Sequence, residues 1–377
     1  MTIGILGGGQ LGYMLALGGY PLGFHFRFLD PSPQAPVGRI APRVTAEYSD
    51  FDALDRFAHG LALVTYEFEN VPVEAARRLS RHVPVFPPPE ALEAAQDRMN
   101  EKTLFRKLDI PTTEFAPVNS AAELERAISR LGLPCVLKTR RLGYDGKGQW
   151  VLRSEADVAE LRREFPSAPL ILENFVCFTR ELSILAVRGR AGETAFYPLV
   201  ENHHRGGILR LSLAPAPRRP EALQLEAENA ARRILEALDY VGVLAVELFD
   251  CGGRLLANEI APRVHNSGHW SIEGAVTSQF ENHLRAVAGL PLGQTRTLGH
   301  SAMINLIGEV PESRELLALP GAHLHLYGKS LRPGRKVGHV TLQADSVGEL
   351  RSLLRQLPPF FEREEFCLPL DASGTSN

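Results

Sequence analysis

Residues 138–149 read Lys138-Thr139-Arg140-Arg141-Leu142-Gly143-Tyr144-Asp145-Gly146-Lys147-Gly148-Gln149, and what flanks this run decides the fold class. Pro134 to Val151 has the pattern strand, glycine-rich loop, strand, so the loop is not the strand-to-helix loop of a Walker site. Gly143, Gly146 and Gly148 allow close backbone approach to a triphosphate, and Lys138 on the preceding strand supplies a point charge. The plain alternative is a mobile surface hairpin. Only six of the 41 basic residues are lysines, so a lysine here hints at a site that wants a compact ammonium.

On the N-terminal side, Thr2 to Leu6, Phe24 to Leu29 and Leu61 to Tyr66 are short apolar strands that alternate with helical segments, which implies a parallel sheet. The first ends in Gly7-x-Gly9-x-x-Gly12 before a helix over 13–19, and Asp30 closes the second where a dinucleotide fold places its ribose-binding acid. A nicotinamide-dependent oxidoreductase is therefore a rival reading, and a tight turn without ligand is another. Pro84 to Pro89 reads as a connector, and 89–108 as helical. The first 26 residues carry no charged side chain, yet eight glycines and Pro21 exclude a spanning helix or leader.

On the C-terminal side, Glu173 follows the strand Leu170 to Leu172, and Glu181 begins the strand that includes Leu182 to Val187. Either acid could hold base or ribose groups at a cleft mouth, or stay solvated. A helix over 220–238 precedes a hairpin whose turn is Cys251-Gly252-Gly253. Pairing Asp250 with Arg254 sets Glu247 opposite Ala257 and Glu259 diagonally on the same face, with Cβ atoms roughly 7–8 Å apart. Two such acids among apolar neighbours suit a shared Mg²⁺; an exposed acidic edge is the alternative. The segment Ala261 to Trp270 then adds Arg263, His265 and Asn266, groups that bind anions or move protons. Short strands follow, including Met303 to Ile307 and Val337 to Leu342, and the loop 329–339 is a local basic cluster suited to one phosphate.

Length and composition bound these readings. The chain has 377 residues, enough for two or three domains, with 44% hydrophobic and 23% charged residues, an ordinary globular balance. Net charge is −3, so no global field draws nucleic acid or a membrane surface, and both are excluded as partners. Cys135, Cys177, Cys251 and Cys367 show no metal-ligand spacing and read as buried free thiols of a reducing cytoplasm.

Taken together, GGGQLG at 7–12, TYEFENV at 65–71, DRMNEK at 97–102, GYDGKGQ at 143–149, FYPLVENHH at 196–204, NEIAPRVHNSGHW at 258–270, MINLIG at 303–308 and RPGRKVGH at 332–339 resemble the ATP-grasp superfamily. Within it they are similar to the N5-carboxyaminoimidazole ribonucleotide synthetases, the ATPase subunits of phosphoribosylaminoimidazole carboxylase. One departure is Tyr13, where the family's pattern has arginine.

The resemblance implies an α/β and α+β architecture: a Rossmann-like N-terminal domain over 1–95, ATP-grasp lobes over 96–297 and a small β-rich domain over 298–377. It implies carboxylation of 5-aminoimidazole ribonucleotide with ATP and bicarbonate, by a cytoplasmic homodimer. ATP would be bound by Arg98, Lys138, the 143–149 loop, Glu173, Asn174, Phe175, Val176, Glu181, His204, Asn258 and Glu259, and Mg²⁺ by Glu247 and Glu259. Arg263, His265 and Asn266 would be catalytic. The ribonucleotide would contact Gly9, Gln10, Leu11, Glu69, Tyr144 and Asp145, with Lys329 and Arg335 on its phosphate. A different ATP-grasp ligase and a non-catalytic nucleotide-binding module remain alternatives.

Overall fold

The computed structural model describes residues 1–143, 148–358 and 360–361, so the expectations placed on Tyr144, Asp145, Gly146, Lys147 and Cys367 lie outside the described residues. Three sheets organise the rest. The first is parallel, in the order β3-β2-β1-β4, from β1 (Thr2–Leu6), β2 (His25–Leu29), β3 (Arg43–Val44) and β4 (Leu63–Tyr66). Strands β1 and β4 are nearly continuous apolar runs because helices and loops cover both faces. Helix α1 (Gln10–Gly19) starts three residues before the apolar periodicity, since the glycines at 7–9 already turn the chain.

The second sheet is antiparallel, in the order β5-β8-β6-β7, from β5 (Phe115–Val118), β6 (Cys135–Thr139), β7 (Gln149–Leu152) and β8 (Leu170–Asn174). The glycine loop therefore connects the antiparallel pair β6 and β7. The third sheet contains β9 (Arg180–Arg188), β10 (Thr194–Phe196), β11 (Val200–Arg205), β12 (Ile208–Ala214), β13 (Gly242–Asp250), β14 (Leu255–Ala261), β15 (His300–Ile307), β16 (Ala322–Leu326) and β17 (Lys336–Ala344). Their order is β14-β13-β9-β11-β12-β15-β17-β16, with β10 on β9. Because β12 pairs with β15, the segment after residue 298 adds strands to the central sheet instead of forming a sheet of its own.

Alternation along β13 shows how this sheet feeds two cores. Val243 and Ala245 join a cluster shared with β1, β2 and α1, while Leu244, Val246 and Leu248 join another under the helix Glu221–Ala237. The first cluster couples the N-terminal sheet to the central one through the helix Gln279–Ala288.

The stretch 89–108 is two helices, Pro89–Ala95 and Arg98–Lys107, because Asp97 leaves the helical conformation and caps the second by accepting from Met99 N–H at 3.0 Å. Of the described cysteines only Cys135 is buried; Cys177 is exposed and Cys251 half-buried, because both lie at loop ends where the strands give out. Among the described residues no helix is long and apolar enough to cross a membrane.

Candidate active site

A cavity of 720 Å³ opens between the second and third sheets. Lys138, Gly143, Gly148 and Gln149 reach it from one side, and Glu181, His204, Glu247, Asn258 and Glu259 from the other. Glu173, Asn174, Phe175 and Val176 line its end, Arg98, Arg263, His265 and Asn266 its floor, and Gln10, Leu11 and Glu69 its N-terminal edge.

At the end near β8, Glu173 is a buried acid held by cations. Lys138 Nζ donates to it at 2.9 Å and Lys102 Nζ lies at 3.7 Å. Burial alone would lift its pKa, but the two ammonium groups hold it down at about 2. On the opposite wall Glu181 lies 2.9 Å from His204 Nδ1, and although burial disfavours the imidazolium, this carboxylate raises the histidine pKa above its ordinary value. Phe178 stacks on Phe249 with ring centroids 4.6 Å apart, giving this end an apolar wall for a flat base.

The metal-type acids sit differently from the register expected above. Asp250 pairs with Leu255, not Arg254, so the turn spans Cys251 to Arg254 and is closed by Cys251 N–H to Arg254 O at 2.9 Å. A β-bulge next to Glu247 then takes up one extra residue, Asn258, which places Glu247 directly opposite Glu259. Two consecutive residues, Asn258 and Glu259, thereby face the cavity while Ala257 and Ile260 stay in the core beneath.

Burial and the neighbouring carboxylate of Glu259 push Glu247 up to about 7. In Glu259 burial is outweighed by Arg98, whose Nη1 donates at 2.9 Å, and its carboxyl ends below the usual range. Asn258 Oδ1 is a buried acceptor without a hydrogen-bond partner among the described residues. Facing carboxylates that cannot both ionise comfortably, beside an unused amide oxygen, are a donor set that fits a hard divalent cation.

The loop after β14 carries the remaining polar groups. Arg263 is ion-paired with Glu69 and donates to Val264 O at 3.0 Å. His265 is held by Gln279, which accepts from its N–H at 2.8 Å and donates to its C=O at 2.6 Å. Its Nδ1 lies 2.9 Å from Ser267 Oγ and its Nε2 3.4 Å from Glu247. Burial, with Arg263 next, lowers its pKa to about 3, so the imidazole is neutral at physiological pH. Both polar atoms of the Asn266 side chain are buried and unpartnered among the described residues, as expected of a group that waits for a ligand.

Comparison with known proteins places this geometry in a family. The ribonucleotide synthetase preATP-grasp domain model matches residues 1–96, the ATP-grasp domain model 103–280, and the phosphoribosylaminoimidazole carboxylase C-terminal domain model 301–353. The N5-carboxyaminoimidazole ribonucleotide synthase of Pseudomonas aeruginosa is 54% identical over 362 residues, covering 96% of this chain and all of the relative. This chain belongs to the N5-carboxyaminoimidazole ribonucleotide synthetase family. The crystal structure of that synthetase from Thermus thermophilus superposes with a TM-score of 0.92 at 61% identity, covering 97% of this chain and 99% of the other. The Aspergillus clavatus enzyme in complex with ADP and 5-aminoimidazole ribonucleotide superposes with a TM-score of 0.87 at 32% identity, covering 94% and 98%.

In this member of the synthetase family the N-terminal glycine loop is not an open phosphate cradle. Gly8 N–H donates to Asp30 at 2.6 Å, Gly9 N–H to Glu67 Oε1 at 2.7 Å and Gly12 N–H to Glu67 Oε2 at 3.1 Å. Gly7, at φ +96°, and Gly9 admit the Glu67 side chain so closely that a Cβ on either would sit 2.8 Å from it. The protein's own carboxylates thus occupy the donors a dinucleotide pyrophosphate would need, and Asp30 is a loop tether, not a ribose ligand. Glu67 accepts from Gly9 and Gly12 and not from Gln10 or Leu11, the first two residues of α1, which line the cavity.

The basic loop also differs from expectation. Lys329 bonds Gln10 Oε1, and so meets the cavity edge, but Arg335 is turned to Ser330 Oγ at 2.6 Å and does not line the cavity. Its neighbour Lys336, which begins β17, does line it. Phe178, Phe249 and Lys336, which line the cavity, and Lys102, which lies behind Glu173, are positions that sequence reasoning did not single out. The scarcity of lysine was a usable signal for two of them; the stacked phenylalanines carried none.

Proposed function

We propose that this chain uses ATP to activate bicarbonate as carboxyphosphate and passes the carboxyl group to the amine of 5-aminoimidazole ribonucleotide. The products are N5-carboxyaminoimidazole ribonucleotide, ADP and phosphate. The observation that carries this reading is the continuity of the cavity: the base end at Glu173, the facing acids and the Arg263 to Asn266 loop share one volume of 720 Å³.

The base stacks on the Phe178 and Phe249 wall, with Glu173 and Asn174 taking its polar edge and Glu181 with His204 the ribose side. Lys138 and Arg98 offset charge on the phosphates. Glu247 and Glu259 would hold Mg²⁺, which supplies neutralisation of the charge that develops on the transferred phosphoryl group. A bicarbonate oxygen bonds to the γ-phosphorus as the bond to the ADP oxygen breaks. Arg263 and Asn266 orient bicarbonate and then carboxyphosphate by charge-assisted hydrogen bonds. The substrate amine next bonds to the carboxyl carbon, and phosphate leaves. Neutral His265, whose Nδ1 accepts from Ser267 N–H at 3.3 Å, keeps its proton on Nε2 and donates it to a carboxyl oxygen of the acyl phosphate, and the departing phosphate, the stronger base, takes the amine proton.

Lys329 and Lys336, with the Gln10 and Leu11 N–H groups, are the seat for the ribonucleotide phosphate, and Glu69 accepts from ribose or amine. The reading includes a cytoplasmic homodimer.

The test is ADP release against carboxylated product with each substrate withheld in turn. One ADP per carboxylated ribonucleotide, lost without bicarbonate, is expected. ADP formation indifferent to both bicarbonate and 5-aminoimidazole ribonucleotide would refute the reading.

A further inference from the structure

Strand β14 is the edge of the nine-stranded sheet, so its outer backbone groups have no neighbouring strand to bond. Side chains and a loop take them up instead. Ala257 N–H donates to Pro111 O at 2.7 Å, and Thr112 Oγ1 donates to Ala257 O at 2.7 Å. Lys102 Nζ donates to Ala257 O at 3.3 Å and to Asn258 O at 2.8 Å, while Ile260 N–H donates to Glu101 Oε1 at 2.6 Å. Glu101 and Lys102 are adjacent in the helix Arg98–Lys107 and are 1% and 0% exposed. They grip β14 on both sides of the residue at which its register shifts.

We infer that Glu101 and Lys102 are positioning residues that hold the β14 bulge and so keep Glu259 on the cavity face opposite Glu247. This rests on the acid pair as the cation site proposed above. Leu248 pairs with Ala257, so a strand without the bulge would pair Glu247 with Asn258. Glu259 would then fall on the face of Leu255 and Ala257, inside the apolar cluster that holds Val246 and Leu248. A bulge takes backbone polar groups off the ladder, and whatever satisfies those groups stabilises it. The Glu101 carboxyl and the Lys102 ammonium do this from the side where no strand is available.

Lys102 adds a second link. Its ammonium is 3.7 Å from Glu173 as well as bonded to the bulge, so one side chain joins the acid at the base end to the strand that carries Glu259. A merely structural role would lower stability without discriminating between ligands. A positioning role separates metal dependence from ribonucleotide binding.

The experiment compares Glu101→Leu, Glu101→Gln and Lys102→Met in the full chain. Glutamine retains an oxygen for Ile260 N–H, whereas leucine retains none. The readouts are hydrogen–deuterium exchange over 256–261, the Mg²⁺ concentration at half-maximal turnover, the KM for 5-aminoimidazole ribonucleotide, and ADP affinity in EDTA by calorimetry. In Glu101→Leu and Lys102→Met, exchange over 256–261 and half-saturating Mg²⁺ should each rise about tenfold or more, with the ribonucleotide KM within about twofold. Glu101→Gln should stay close to wild type in every readout, and Glu101→Leu should keep its metal-free ADP affinity. Should Lys102→Met fail to fold, the two Glu101 variants decide alone. Wild-type exchange in Glu101→Leu, or faster exchange with unaltered Mg²⁺ dependence, overturns the inference. Glu259→Gln is the control: wild-type metal dependence there removes the cation site itself, while the exchange data still decide whether the bulge is held by Glu101.

Discussion

Replacing Glu67 with glutamine preserves the volume of a buried side chain and changes only what its oxygens can accept. The carboxylate is 8% exposed and takes Gly9 N–H at 2.7 Å and Gly12 N–H at 3.1 Å. A carboxamide has one oxygen, so in either orientation its NH₂ group meets a backbone N–H. The lost charge-assisted bond is worth about 1.5–3 kcal/mol. Part of this is returned, because burial disfavours the Glu67 charge and raises its pKa against the pull of Gly9 and Gly12. The net loss should be about 2 kcal/mol, or about a 30-fold faster amide exchange where opening of this loop limits it. Gly9 and Gly12 bracket Gln10 and Leu11 at the cavity edge, so the KM for 5-aminoimidazole ribonucleotide should rise about tenfold while that for ATP stays within about twofold. Exchange mass spectrometry over 7–13 and steady-state kinetics read the two effects. Unchanged exchange together with an unchanged ribonucleotide KM would refute the view that Glu67 sets this loop.

Three further outcomes follow from the site. Glu259→Gln should lower ADP production about a hundredfold or more with circular dichroism unchanged, and a wild-type rate would remove the acid pair from the metal role. Burial pushes the Lys329 ammonium down to about 8, so it is charged below that pH and neutral above it. The ribonucleotide KM should therefore climb about tenfold between pH 7 and 9 with the ATP KM flat, and the climb should vanish in Lys329→Arg; the same climb in that variant would assign it to another group. Iodoacetamide should label exposed Cys177 well before Cys135, whose thiol is buried and pushed up to about 11. Peptide mapping in which Cys135 reacts first would contradict the packing described for β6.

Features that local chemistry dictates were legible in the sequence alone. The Lys138 to Gln149 run declares two strands and a glycine loop, because glycine spacing and strand periodicity are local properties. The acids at 173, 181, 247 and 259 and the Arg263, His265 and Asn266 segment are legible because polar groups among apolar strands need a reason to be there. Which of those groups meet, and across what distance, belonged to the packed molecule. The longer turn and the bulge at Asn258 together changed the pairing of Glu247 from diagonal to direct, and the bulge depends on Glu101 and Lys102, more than 150 residues away in the chain. The loop at 7–12 has the local form of a dinucleotide site, yet Asp30 and Glu67 fill it from two other strand ends. Lys336 and Arg335 are neighbours of like charge, and only the direction of β17 decides which one reaches the cavity. Hydrogen bonds between distant segments leave no periodic trace in the sequence, so register, donor occupancy and side-chain direction are fixed only when the sheets and helices pack.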